Sequence, residues 1–505
     1  MEKNMILAIA LSMAVLVGYS FLFPPAQPVK PAPAAKGQAA PSAPGVGAPA
    51  ATPATASAQT PFAAAVAPVG LVPEKEIKVE TDLYSAVVST KGGVIKSWKL
   101  KKYSDAEGMP LELVMPGSGV KPLLLVPQGT SGADAMNLAY SADADNVEPR
   151  GTEPVRLTLT HAGADGRNIA KTLDFRNGTY AVDVSVKFPA GGYTLYAWDG
   201  LATAAADAAA SPKGRSGFSG IMTVTDGSRN KDNPEKMEKD SAYSSAQGWT
   251  GMTDKYFLGA LVPKGGIKAV VSKGTAGHGE AAVVSDSTES TYFLYAGPKE
   301  YDRLKALGSG LHLAVDYGWF AFIAKPLFVA LKFFHGLVKN WGWAIIVLTF
   351  VVKALFAPLT HKMQKSMKRM QKLAPEMNEL KEKHKVNPLG GCLPMFIQLP
   401  VFVALYNVLN NSIELRHAPF AFWLHDLAAK DPYYVLPILM GVSMLAMQKM
   451  TPTSMDPKQN MIMMFMPVIM TFLFISLPSG LVLYFTVSNL LSMAQQLYIN
   501  KYSET

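Results

Sequence analysis

The 505 residues allow two to four domains, and the single cysteine, Cys392, excludes an intramolecular disulfide. The net charge of +9 is modest for this length, and its distribution says more than its total. Lysines crowd between 361 and 385, whereas 411–432 carries only Arg416 and Lys430. The chain has no GxxxxGK[ST], no HExxH, no GxSxG at a strand-to-helix turn and no CxxC pair, so nothing in it points to an energy-consuming or hydrolytic site.

In chain order, MEKNMILAIALSMAVLVGYSFLF (1–23) sets Lys3 before a long apolar run. Phe21-Leu22-Phe23-Pro24-Pro25 follows where a cleaved signal would carry a small-x-small site, so an uncleaved signal anchor is expected. Residues 24–73 are almost entirely Ala, Pro, Gly, Ser, Gln and Val. That composition buries too little apolar surface to offset chain entropy and reads as a disordered tether. From Glu74 the pattern turns to period two. LDFRNGTYAVDVSV (173–186) places Asn177-Gly178 between alternating strands, a hairpin signal. STKGGVIKSW, VRLTLT, YTLYAW and STYFLYAGP continue it, so 74–310 reads as a large all-β sandwich domain. GTAGHGE (274–280) lies among strands with no helix after it and reads as a loop, with His278 an ordinary surface residue.

Residues 317–340 form an expected amphipathic helix. Phe320, Ile323, Leu327, Leu331, Phe334 and Val338 recur at helical spacing, with Lys325, Lys332, His335 and Lys339 opposite, so it should lie along a membrane surface. Five spanning segments follow at 341–360, 392–411, 433–449, 461–477 and 481–497. Several have only about 17 apolar residues, roughly 26 Å of helix against a ~30 Å hydrocarbon core. With the anchor, the count of six puts both termini on one side. The lysine-rich loop 361–391 makes that side cytoplasmic and places the β-domain and the 411–432 loop outside.

Lys353 sits inside the 341–360 span, eight residues or about 12 Å before His361. Two readings stand: an anchor snorkelling to the cytoplasmic face, and a charge facing a hydrated cavity open to the cytoplasm. Thr349 lies one turn before it. Gln398 and Asn407 are polar groove candidates in the 392–411 span, and Ser488, Asn489 and Ser492 lie in the last span. No Asp or Glu is embedded with Lys353, which suits a wet groove for polar or acidic passengers better than an ion pair or proton relay. Fifteen of the 25 methionines fall between Met363 and Met470, as on adaptable apolar surfaces for varied partners.

KVNPLGGCLPMFIQLPVFVALYNVL (385–409), IELRHAPFAFWLHDLAAKDPYYVLPILMG (413–441) and FMPVIMTFLFISLPSGLVLYFTVSN (465–489) resemble the YidC/Oxa/Alb family of membrane protein insertases in its Gram-negative form. The order of anchor, tether, β-domain, amphipathic helix and five-span core agrees along essentially the whole chain. The resemblance implies a five-helix core around a hydrophilic groove, open to cytoplasm and lipid and closed outside, with a periplasmic β-supersandwich. Its groove charge, usually arginine, falls on Lys353, which keeps the charge and loses the planar fork. Its substrate-contacting positions fall on Thr349, Phe402, Met440, Leu473, Tyr484, Phe485 and Ser488. LAPEMNELKEKHKVNPLGGC departs from the family by leaving no room for a second cytoplasmic hairpin helix, and KYSET lacks a long basic tail.

The implied function is a non-enzymatic insertase and chaperone of the bacterial inner membrane, acting alone or with the Sec translocon (SecYEG, SecDF). Its partners are nascent inner-membrane proteins, the lipid bilayer and the ribosome or signal recognition particle pathway, with no cofactor, no metal and no nucleic acid sequence recognition. Substrate would slide along a greasy face of the 392–411 and 461–477 spans while its polar flank enters the groove. The rival readings are a small-solute or anion transporter, against which stands the lack of an inverted repeat or paired broken helices, and a structural scaffold.

Overall fold

The computed structural model describes residues 74–105, 107–163, 168–189, 191–204, 218–274, 278–372, 393–450 and 457–502. The expected anchor, the tether, the question of a second cytoplasmic hairpin helix, Cys392 and the final three residues lie outside the described residues.

Among the described residues, 76–298 fold into sheets of nine, five and five strands. The alternation read from the sequence becomes strands with one buried face: Ile169–Phe175 buries every second side chain, and so does Ala181–Lys187. Gly248–Thr253 and Phe257–Pro263 are central strands of the nine-stranded sheet, buried almost throughout because layers cover both faces. The five-stranded sheet carrying Tyr193–Asp199 faces them, and Trp198 lies so close over Gly259 that a Cβ there would come within 2.6 Å of the indole. In the other five-stranded sheet Tyr84 stacks on Trp98 with ring centroids 3.9 Å apart. Ile267–Lys273 and Gly279–Ser285 pair antiparallel, so the glycine-rich GTAGHGE stretch connects two strands.

The Asn177-Gly178 hairpin joins Ile169–Phe175 to Ala181–Lys187. Only Gly178 takes a positive φ (75°), and five residues separate the strands rather than two. The longer loop brings Asn177 to Asp82: Asn177 Oδ1 accepts the Asp82 amide at 3.2 Å, and Asp82 Oδ1 accepts the Gly178 amide at 2.9 Å.

Lys171 is buried at an inward position of its strand. Its ammonium donates to the carbonyls of Gly92 (3.1 Å), Gly93 (2.9 Å) and Leu123 (2.8 Å) and sits over the Tyr140 ring, tying two sheets together. Burial pushes it down to about 7.

After short helices α1 (Gly132–Met136) and α2 (Tyr301–Leu307), the chain enters α3 (Ala321–Val338), α4 (Trp341–Lys372), α5 (Leu393–Asn411), α6 (Val435–Met450), α7 (Pro457–Phe474) and α8 (Ser479–Tyr502). Each of the five segments expected as spans after residue 340 falls largely on a helix, the 461–477 segment ending at Phe474, and α4 continues beyond its apolar part. Among the described residues Ala321–Val338 and Trp341–Lys362 are long and apolar enough to cross a membrane by length and composition, and Val435–Met450 and Met464–Phe474 are shorter apolar helices. In α3 the fully buried side chains are Ala324, Phe328 and Leu331, a stripe rotated from the expected one. Lys332 pairs with Asp302 and Lys325 lies over the Tyr301 ring, so basic residues of α3 serve the β-domain. Phe322, Val329, Phe333 and Leu337 stay exposed.

Replacing Lys171 by methionine leaves three buried carbonyls unpaired and should lower stability by about 1–3 kcal/mol, read by thermal unfolding through tryptophan fluorescence. The pH dependence has a definite sign. The folded state holds this ammonium at about 7 against about 10.4 in the unfolded chain, so the unfolded state binds more protons between those values. Wild-type stability should therefore rise from pH 7 toward pH 10, and the Lys171→Met variant should lose that part of the rise.

Candidate functional site

The loop between α5 and α6 sets the starts of three helices. Asn340 Oδ1 accepts the Trp343 amide at 3.1 Å, capping α4, while Asn340 Nδ2 donates to Phe420 O at 3.0 Å. Gly342 has no side chain because the Phe420 ring occupies that space. Asp431, 1% exposed, accepts from Trp423 Nε1 (3.0 Å) and from the amides of Tyr433 (3.0 Å) and Leu436 (2.7 Å), which starts α6. The amides of Ser479 and Gly480 donate to Ala429 O (2.7 Å) and Leu427 O (2.9 Å), which fastens α8. One loop thus holds the first turns of α4, α6 and α8 together, and α4 and α8 run side by side in the same direction.

Lys353 and Ser492 lie about 18–20 Å from the starts of α4 and α8. At that matched depth Lys353 Nζ donates to Ser492 Oγ at 2.8 Å, and Ser492 Oγ donates to Ser488 O at 2.9 Å. Toward the far end Gln495 Nε2 donates to Thr360 Oγ1 at 3.0 Å. A groove of about 410 Å³ opens here, lined by Phe350, Lys353, Ala354, His361, Gln495 and Tyr498 among others. Pro358 lacks the N–H that would bond the Ala354 carbonyl, so the helix offers this groove a free acceptor beside the cation. None of α4 to α8 contains an Asp or Glu. The lysine is therefore met by a hydroxyl, and among the described residues no carboxylate pairs with it.

Three helices meet at Phe485. Its ring is edge-on to Phe402 of α5 (5.0 Å between centroids), Phe474 of α7 (4.9 Å) and Tyr484 beside it on α8 (5.4 Å). Met440 of α6 is fully buried. Where α6 meets α7, Gly441 leaves room for Thr471, a small-residue contact that lets backbones approach.

The residues singled out from the sequence fall into separate groups. Lys353 and Ser488 share the α4–α8 contact, with Thr349 buried one turn above and bonded to Ile345 O at 2.7 Å. Phe402, Tyr484 and Phe485 form the aromatic junction. Leu473 is exposed on α7. Asn407 is not with Lys353: its Nδ2 donates to Tyr317 O at 3.0 Å, at the seat of the β-domain. The Gln398 side chain lies outside the described residues. Gln495 and His361 were not singled out, although Gln495 follows Ser488 and Ser492 at helical spacing, the signal that would have found it.

The β-domain is seated on the same end that carries the α5–α6 loop. Arg416 Nη2 donates to Ser104 O at 3.2 Å with its guanidinium over Phe257, and Asn411 Nδ2 donates to Asp316 O at 2.8 Å. Apolar helices around a groove that holds one lysine, with a β-sheet domain seated on one end, define the class: a membrane protein with a large β-sheet domain.

Comparison with known proteins carries this further. Residues 76–330 match the family described as YidC periplasmic domain, and 333–505 match the family described as 60Kd inner membrane protein. The chain is 39% identical over 540 residues to the membrane protein insertase YidC of Geotalea daltonii, covering 99% of each. It is 41% identical over 535 residues to that of Geobacter metallireducens, covering 99% of this chain and 98% of the relative. A solved structure described as an active YidC insertase with its first transmembrane domain resolved aligns with 85% of this chain and 93% of that one, at 18% identity and a TM-score of 0.38. The chain belongs to the YidC family of membrane protein insertases. It is accordingly an inner-membrane insertase with a β-rich periplasmic domain, and not an enzyme.

Because the Asp431 carboxylate satisfies two amides and an indole in a buried place, Asp431→Ala should destabilise the purified protein by about 2–3 kcal/mol, and Asp431→Asn by less. The midpoint of thermal unfolding in detergent checks both.

Proposed function

We propose that the groove beside Lys353 receives the polar flank of a nascent inner-membrane protein while the adjoining apolar segment moves along the outer surface of the helices. The observation that carries this reading is the Lys353 Nζ to Ser492 Oγ contact at 2.8 Å inside a groove whose helices supply no carboxylate. A charge at the centre of a span costs about 2.5–3.5 kcal/mol on insertion scales, and a wet groove removes most of that cost for lysine and passenger alike. Burial of the passenger's apolar segment in lipid, at about 0.8 kcal/mol per CH₂, supplies the drive without any cofactor. Thr349, Met440, Tyr484 and Ser488 shape the inner wall, Phe402 and Phe485 its aromatic back, and Leu473 the lipid-facing path. Exposed Phe465, Val468, Ile469, Phe472 and Leu473 give α7 the larger part of the greasy face, with Ile438, Leu439 and Val442 of α6 beside it, whereas the described side chains of α5, from Pro400 onward, are buried or half-buried. Asn407 belongs to the seat of the β-domain in this reading.

In the same proposal α4 to α8 and the N-terminal anchor span the membrane six times, and both termini and the 361–391 loop are cytoplasmic. Residues 24–340 are outside, with the β-domain as a periplasmic supersandwich. The exposed apolar stripe of α3, opposite its contacts with the β-domain, supports a place along the outer surface of the bilayer. The Sec translocon, with SecYEG and SecDF, and the ribosome or signal recognition particle pathway deliver substrates in this reading.

Two measurements test it. Lys353→Arg should retain insertion, and Lys353→Glu should reduce insertion of a substrate with an acidic flank about tenfold while sparing a matched neutral one. Lys353→Leu should remove the difference between the two substrates; equal losses for both across the variants contradict a groove that reads charge. In a Cys392→Ser background, cysteines at Ser287 and Ser366 should react with an impermeant thiol reagent from opposite faces of the membrane, and labelling from one face contradicts the topology.

A further inference from the structure

A second polar cavity, of about 280 Å³, lies where the β-domain meets the outer end of α5. The β-domain lines it with Lys231, Lys255 and Lys299, and α5 lines it with Asn407, Asn410 and Asn411. Its lining carboxylate, Asp316, is already engaged: Oδ2 accepts from Lys231 (2.6 Å), and Oδ1 pairs with Arg229 (2.9 Å) and accepts the Gly318 amide (2.9 Å). Burial pushes that carboxyl up, but these partners hold it down at about 2.

Lys299 is 8% exposed, and its Nζ donates to the main-chain carbonyl of Asp254 at 2.5 Å, which uses one of its three N–H groups. The Asp254 carboxylate is spent on the amides of Tyr256 (2.7 Å) and Phe257 (2.6 Å) and on the Thr203 hydroxyl. Burial pushes the Lys299 ammonium down to about 8, so it remains protonated at neutral pH. The lining thus carries three ammonium groups against one carboxylate, Asp316, which Lys231 shares with Arg229, so the cavity keeps a net positive charge.

We propose that this cavity binds a phosphate-bearing anion that bridges the β-domain and the outer end of α5. Lysines act as point charges toward tetrahedral oxyanions, and no arginine fork lines the cavity to select a planar carboxylate. Such an anion comes from a phospholipid headgroup or from free phosphate. Trp319 and Phe322 are 68% and 73% exposed directly after the lining residue Gly318, an arrangement suited to a membrane surface. The lipid source rests on the membrane placement given under Proposed function; the anion chemistry does not.

The test uses purified full-length protein in detergent, stripped of lipid and titrated calorimetrically with dioctanoyl phosphatidylglycerol, dioctanoyl phosphatidylcholine and inorganic phosphate. One saturable site is expected, weakened tenfold or more by Lys231→Gln and by Lys299→Met and unchanged by Lys268→Gln, whose lysine pairs with Asp286 elsewhere on the domain. Phosphatidylglycerol binding at least tenfold tighter than the other two probes identifies the headgroup as the source; inorganic phosphate binding as tightly identifies the free anion. Lys231 is one-third exposed, so its replacement is tolerated even where loss of buried Lys299 disturbs folding. Saturation by none of the probes, or unaltered binding in Lys231→Gln, overturns the proposal.

Discussion

A positive charge held among helices that contain no carboxylate is the constraint on which the rest of the structure depends. Lys353 cannot be neutralised by an ion pair within α4 to α8, so it needs water, hydroxyls and exposed carbonyls. The fold supplies them at one depth: Ser492 from the parallel helix α8, the Ala354 carbonyl freed by Pro358, and a groove wide enough for water. Those helices must run side by side in the same direction for Lys353 to meet Ser492, and that requires their starts to be fastened together. The α5–α6 loop does this through Asn340, Asp431 and the amides of Ser479 and Gly480. The end of the bundle that is tied down is also the end on which the β-domain sits.

The β-domain meets the helices through a set of named contacts. Its sheets are locked by Lys171 and by Trp198, which packs over Gly259 of the facing strand. It uses the basic residues of α3 and the asparagines of α5 as its seat.

Much of this was legible in the sequence because it is periodic. Alternation in 155–187 specifies strands, and the long apolar runs after 341 specify helices, since both patterns are set by local geometry. Faces set by distant partners were not legible. The basic side of α3 reads as a solvent-facing stripe until Asp302 and Tyr301 are found against it. Asn407 reads as a groove residue because a polar side chain in an apolar span has few local explanations, and its partner is a carbonyl 90 residues earlier. Lys171 carried a usable signal: it occupies an inward position in IAKTLDF, between Ile169 and Leu173, where a cation must find partners. The length of the Asn177-Gly178 loop depended on its contacts with Asp82, which no dipeptide encodes. The cavity at the seat of the β-domain joins residues from 218 to 411, and no single segment displays it.

The central claim is that polar and apolar parts of a passenger take different paths past the same helices. Site-specific photo-crosslinking to a stalled nascent chain tests this directly, with the photoreactive residue placed at Gln495 in the groove or at Phe472 on the exposed face of α7. The account predicts that Gln495 captures the polar flank and Phe472 the apolar segment of the same substrate. Capture of the apolar segment at Gln495, or of the flank at Phe472 alone, would contradict it.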